Sequence, residues 1–385
     1  MQTAGMGLAF LLASSFLPPA VTQTGSSAAE ESPAAAVPLF RVSYERRDAV
    51  LGISATHVIK LPWQCTGDGT IFVSFVSTVS ADSGLPPPAP GPPPMLLTSI
   101  SPSGRGQTFR LDQVPELHIS GELDHYAADS EVIFLVRAGR EFKPVQEAYS
   151  VGSYHGEVKR NAAEQHLYIL TFSRDGEYKR SIELEDSFRI QHLAVFPSGI
   201  FLAFGFYADD HSPKLVMLKQ DGTLLKSLEI TRGDMPESVL SGKDAPRHSV
   251  VAPVDLVREG RSIIVVQNKT SFPLLEVGEG GSIRAIRPKL AKGDQIVSAV
   301  PADHNFYVVA SEETVSNGRQ EHIYEVSPED GTVLRRIELG DGRRVSDAVA
   351  CVHEGKFLSI DFSNGQVVPL IGTAEPASVT TQQKR

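Results

Sequence analysis

Three of the eleven histidines share a sequence offset. His57, His118 and His248 each stand twelve residues before the second residue of a short polar turn, at Gly69, Ser130 and Gly260. Three imidazoles converging from equivalent strands would hold a zinc or similar divalent ion and leave a position open for water. No Asp or Glu shares their register to orient the rings, and His192 opens another unit at a different offset. The other reading is three solvated or core-capping side chains. Calcium chemistry needs converging carboxylates, and Glu116, Asp255 and Asp347 lie near inner strands without a common register. No nucleophile elbow, zincin, phosphate-loop or dinucleotide motif is present.

A second group of residues suits contact with a partner. Tyr149, Tyr154 and His155 sit among glycines and serines in a segment spanning roughly 139–166, and Tyr207 and His211 lie in YADDHSP (207–213). Both segments connect apolar runs, as do 77–94 and 311–322. The run LPPPAPGPPP within 77–94 favours the stiff polyproline II conformation, as a spacer or as a proline-recognition ligand.

What must position these residues is a repeat. A polar turn followed by an apolar strand recurs six times, beginning at Gly67, Ala128, Pro197, Arg258, Ala302 and His353. Each turn is preceded by another short apolar stretch, so each unit opens with a hairpin. Five units continue into a second hairpin, whose turn glycines are Gly104, Gly176, Gly222, Gly281 and Gly331. Its flanking segments alternate apolar and polar residues, as half-buried strands do. The best helical candidate, 157–166, has no wide apolar face. A four-stranded sheet buries both faces only by stacking on others of its kind, and radial stacking gives a β-propeller. The fold class expected is all-β: a six-bladed propeller of four-stranded antiparallel blades, named A to D outward. The sixth unit supplies three strands, and PLFRVSYERR (38–47) is expected to provide its fourth. An open ring would leave apolar faces wet and a strand edge unpaired.

In such a ring the A–B and C–D turns share one face, and the B–C and D–A connections share the other. The inserted segments are all B–C connections, so length variation gathers on one face of a rigid scaffold, where binding is commonly carried. Cys65 and Cys351 occupy equivalent places, in CTGDG and CVHEG of the first and last units. Packed sheets lie about 10 Å apart, beyond disulfide reach, so two buried free thiols are expected, with a ring-closing disulfide as the other possibility.

The second hairpins, LYILTFSRDGEYKRSIEL and IYEVSPEDGTVLRRIEL, resemble those of NHL-type six-bladed propellers. The resemblance covers about residues 40–372 as an architecture and departs where longer inserts replace the family's tight B–C turn. It implies binding of proteins, nucleic acids or polymers, and related six-bladed propellers include lactonases and lyases.

Composition narrows these choices. Net charge is −10, which disfavours a nucleic-acid partner. Two cysteines exclude a disulfide-dense scaffold and a zinc-finger array. Residues 5–17 form an apolar run followed by Pro18, Pro19 and Ala20, and 1–22 reads as an export signal that lacks a basic first segment. Residues 23–37 read as a linker, 38–372 as the propeller and 373–385 as a disordered tail. The mature chain is expected to be secreted or periplasmic, without a transmembrane segment. It is expected to bind a protein or polymer without a cofactor; the alternative is a hydrolase or lyase with zinc or a similar metal at the channel mouth.

Overall fold

The computed structural model describes residues 37–48, 51–52, 57–59, 64–77, 95–110, 114–140, 142–151, 154–163, 166–185, 188–207, 213–230, 254–267, 273–300, 302, 306–312, 320–339, 349–363 and 366–377. Every regular element among them is a β-strand.

Strands β1 (Leu39–Arg46) and β2 (Leu51–Gly52) come first. β3 (His57–Ile59), β4 (Gln64–Cys65), β5 (Ile71–Ser77), β6 (Met95–Ile100) and β7 (Gly106–Arg110) make the first sheet, ordered β3-β5-β6-β7 with β4 also beside β5. The second is β8 (His118–Ala127), β9 (Glu131–Gly139), β12 (His166–Ser173) and β13 (Tyr178–Glu183). Between β9 and β12 the chain makes a separate two-stranded sheet, β10 (Phe142–Val151) with β11 (Tyr154–Ala163). The third sheet is β14 (Phe188–Val195), β15 (Phe201–Tyr207), β16 (Pro213–Leu218) and β17 (Leu224–Leu228). The fourth is β18 (Val254–Glu259), β19 (Ser262–Gln267), β20 (Leu274–Val277) and β21 (Ile283–Ile286).

The remaining strands are β22 (Asp294–Val300), β23 (Phe306–Glu312), β24 (Gln320–Val326), β25 (Val333–Leu339), β26 (Cys351–His353), β27 (Lys356–Ser363) and β28 (Gln366–Pro376). With β1 and β2 they form one nine-stranded sheet whose main path runs β22-β23-β24-β25-β1-β28-β27-β26. β1 is its centre. It lies antiparallel to β28, from Phe40 opposite Pro376 to Arg46 opposite Leu370, which is the pairing the sequence led us to expect. It also lies parallel to β25, with Leu39 opposite Arg336 and Val42 opposite Leu339.

Burial explains why the alternation expected of half-buried strands fades at the sheet centres. β15 from Phe201 to Gly205 and β19 from Ile263 to Gln267 are buried on both faces, whereas the outer strand β17 is exposed at all but its last residue. Sheets stack on sheets in a propeller-like arrangement. The apolar contacts run in a circuit. Phe72 and Leu97 of the first sheet pack on Val132 and Phe134 of the second. A larger cluster joins the second, third and fourth sheets through Ile133, Phe204 and Val265. Val257 and Ile264 continue to Ile296 and Phe306. Val309 and Ile337 face Val352 and Phe357 within the nine-stranded sheet. Leu358 and Ile360 then meet Ile71 and Val73 of the first sheet. Each fully buried large apolar side chain contributes about 1.5–3 kcal/mol.

The second-hairpin glycines behave as their turns require: Gly104, Gly176, Gly222, Gly281 and Gly331 all have φ between 73° and 84°. Three expectations are corrected. Residues 154–163 form a strand, so the helical candidate at 157–166 is not a helix. Pairing against β10 outweighs the helix propensity of its Glu, Lys, Arg and Ala residues. The ordered chain runs past residue 372, because β28 continues to Pro376 to cover β1. And Cys65 and Cys351 are joined in a disulfide, their Cα atoms 6.0 Å apart. The 10 Å spacing applies to the faces of packed sheets; β4 and β26 are inner strands, where neighbouring sheets converge to within disulfide reach.

Candidate functional site

In the first, second, third and fourth sheets the first two strands are joined at one end by tight turns, such as 66–70 and 128–130; the second and third strands are joined at the opposite end, where the second sheet carries the β10–β11 hairpin. The contact residues expected from sequence belong to the second end. Tyr149, Tyr154 and His155 lie at the tip of the β10–β11 hairpin, where Tyr149 stands opposite Gly156, Ser150 opposite His155 and Val151 opposite Tyr154. Tyr207 ends β15 opposite Phe188, and their rings pack with centroids 5.1 Å apart, so this tyrosine is already half-buried in the sheet. His211 lies outside the described residues.

The histidine trio is only partly described. His57 opens β3 opposite Ser77, His118 opens β8 opposite Gly139, and His248 lies outside the described residues. Counted along the second strands from the equivalent residues Ile71 and Val132, the two histidines stand one rung apart. The equal sequence offsets conceal this because the turns differ: five residues separate the paired Cys65 and Ile71, and four separate the paired Ala127 and Val132. One rung changes the face of a strand. No three metal-ligating side chains come together among the described residues.

The tight-turn end holds a polar network that sequence reading missed. Arg258, from β18, makes a two-pronged pair with Asp129 in the turn after β8; its Nη2 donates to Oδ2 at 2.6 Å. Asp129 Oδ1 also accepts from the Gly67 N–H at 3.0 Å. Arg174, between β12 and β13, donates through Nη2 to Thr70 Oγ1 at 2.7 Å and pairs with Asp68 at 2.8 Å. The Thr66 hydroxyl donates to the same Asp68 at 2.6 Å. Beside them, the His353 ring lies over Gly69, where a Cβ would fall 2.7 Å from Cγ. Gly69 has φ of 78°, so glycine is required there by conformation and by space. The disulfide is adjacent: Cys65 and Cys351 line a cavity of about 20 Å³ with Arg258 and Ala302. The first, second, fourth and nine-stranded sheets are thereby tied together at this end.

A larger cavity, about 140 Å³, opens between the turns of the second, third and fourth sheets, lined by Tyr126, Asp129, Glu131, Phe196, Arg258 and Ile263. Burial pushes the Tyr126 hydroxyl well above the ordinary tyrosine range, so it stays protonated. The hydrogen bond from Arg258 leads in holding the Asp129 carboxyl below the usual carboxylate range. Burial pushes Asp68 up, but hydrogen bonds from Thr66, Arg174 and the Thr70 N–H outweigh it and bring its pKa down to about 2. These carboxylates are pinned as anions by their partners. They suit fastening more than proton transfer at neutral pH.

The pinning predicts a pH dependence. A carboxylate depressed in the folded state stabilises the fold above its unfolded pKa and loses that contribution as pH falls through the folded value. For Asp68 the window runs from the ordinary value of 3.8 down to about 2. Asp68→Asn should therefore cost about 1 kcal/mol at pH 7, the discount reflecting a half-exposed, solvent-screened pair. By pH 2 its melting temperature should converge on that of the wild type. Parallel melting curves across pH 2–7 would show the network to be without energetic weight.

No family model and no curated protein matches this chain. Among solved structures it is similar to a protein of unknown function from Bacteroides caccae, at 12% identity over 78% of this chain and 93% of that one, with a TM-score of 0.38. It is similar to virginiamycin B lyase from Staphylococcus aureus, at 10% identity over 86% and 99%, TM-score 0.33. The parainfluenza virus 5 hemagglutinin-neuraminidase ectodomain is 9% identical over 88% and 85%, TM-score 0.46. Likenesses of this degree assign no activity to the chain.

Proposed function

We propose that this chain is an exported six-bladed propeller, of NHL-like build, that binds a protein or polymer partner through the face carrying its long connections. The six-bladed reading treats the nine-stranded sheet as two blades joined through β1. It is supported by the apolar cluster between the two halves of that sheet, Val309 and Ile337 against Val352 and Phe357. Export is supported by the disulfide, which suits an oxidising compartment. Among the described residues no helix is long and apolar enough to cross a membrane.

The observation that carries the binding role is the β10–β11 hairpin. It is inserted between two strands of one sheet, forms a sheet of its own, and bears Tyr149, Tyr154 and His155 at its tip. A scaffold fastened at one end by a disulfide and an ion-pair network leaves the other end free to vary.

The test replaces residues 142–163 with a short Gly-Ser turn and probes peptide and glycan arrays with both proteins. The variant should melt within about 2 °C of the wild type, since the hairpin contributes no strand to its parent sheet. It should lose at least about tenfold in binding to whatever the wild type retains. Equal binding by both proteins, or none by the wild type, would reject the proposal.

A further inference from the structure

The edges of the same hairpin point to one partner, an inference that rests on reading the long-connection face as the binding face. β10 and β11 are ten residues each, and among the described residues neither outer edge pairs with another strand. A lone two-stranded ribbon is marginally stable in water, whereas a third and fourth strand make a sheet self-sustaining. An open edge of such length is also a template for another chain.

The two edges are not equivalent. β10 carries Pro144, which has no N–H to offer and blunts its edge. β11, YHGEVKRNAA, has no proline. Within the hairpin every charged position faces an uncharged one. Lys143 stands opposite Ala162, Glu147 opposite Val158, Ala148 opposite Glu157, Gln146 opposite Lys159 and Val145 opposite Arg160. The charges of β11 therefore lack a directly opposed counter-charge inside the ribbon.

β11 does complement its own reverse. Two β11 strands, antiparallel and centred on Val158, set Glu157 of each copy opposite Lys159 of the other. Opposite charges directly across a strand pair stabilise it, and like charges do the reverse. The arrangement is isologous, as a two-fold dimer requires. We infer that the β11 edge is a self-association surface whose partner is a second copy of this chain, the two hairpins joining in a four-stranded sheet across a two-fold axis.

Sedimentation velocity on the full chain tests this, with concentrations spanning about 1–200 µM. The wild type should shift reversibly from monomer to dimer. Glu157→Lys, which sets Lys against Lys at both symmetric positions, should weaken dimerisation at least about tenfold. The swap Glu157→Lys/Lys159→Glu restores the complement and should return the dissociation constant to within about threefold of the wild type. Both positions face neutral residues within the hairpin, so neither change should alter the melting temperature. A chain that stays monomeric, a single reversal without effect, or a swap that fails to recover overturns the inference. Array binding separates this from the proposed function. A monomer that still binds its array ligand refutes only self-association, and a dimer that binds nothing refutes only the partner reading.

Discussion

Deletion of residues 38–47 is expected to lower the melting temperature by at least about 7 °C, equivalent to about 5 kcal/mol for a domain of this size. β1 is the strand through which the last part of the nine-stranded sheet meets the part before it. Phe40, Arg41 and Val42 are paired on both sides, to β28 and to β25. Its lost backbone hydrogen bonds, each worth about 0.5–1.5 kcal/mol net, are roughly offset by the ordering cost of about 1–2 kcal/mol per residue that a missing strand no longer incurs. Side-chain burial therefore decides the outcome. Val42 is 1% exposed and packs with Val309, Ile337 and Phe357, while Phe40 and Tyr44 are half-buried against the same cluster. The Phe40 ring also carries Arg335, whose Cζ stands 5.0 Å from its centroid. Removing the strand wets these faces and bares the edges of both β25 and β28. Val42→Asp reports on the same contacts without shortening the chain, and should cost about 3–5 kcal/mol by burying an unpaired charge. A deleted protein that melts like the intact one would mean that β1 does not close the sheet.

Much of this architecture is legible in the residues because it depends on local chemistry. Gly104, Gly176, Gly222, Gly281 and Gly331 mark turns that need positive φ, and all five have it. The incomplete last unit asked for a fourth strand, and 39–46 supplies it. What escaped depends on long-range geometry. The parallel pairing of β1 with β25 is made by backbone groups and leaves no side-chain pattern. Asp68 and Asp129 sit in GDG and ADS, where they read as ordinary turn residues, and nothing local links them to Arg174 and Arg258, 106 and 129 residues away. The histidine offsets match in sequence, but the turn of the first sheet is one residue longer than that of the second, which displaces His118 by a rung relative to His57. Residues 157–163 are rich in helix formers, and only the presence of β10 turns them into a strand. In each case a local preference was visible and the partner that overrides or completes it was not.

The cysteine pair is the most consequential of these long-range features, and its removal should have the second large effect. Cys65 and Cys351 are 286 residues apart in sequence, so their bond removes a large loop-closure entropy from the unfolded chain. Loop-closure entropy alone would give about 5–6 kcal/mol for a loop of that length, and native disulfides typically contribute about 2–5 kcal/mol, which corresponds to about 3–7 °C in melting temperature for this size of domain. Both residues are nearly sealed from solvent, at 4% and 1% exposure, within the cluster that joins the first sheet to the nine-stranded one. Reductant should therefore leave the folded protein untouched at room temperature and act once the chain opens. Melting with and without a phosphine reductant measures the effect on one unmutated sequence, free of the cavity that substitution would leave. Chain closure by β1 and by the disulfide acts at different places, one on the β25 and β28 edges and one on the inner strands, so the two losses should add. A protein unfolded without reductant should present no titratable thiol. Two thiols, or melting curves that coincide under both conditions, would show that these sheets are held together at the tight-turn end by packing and ion pairs alone.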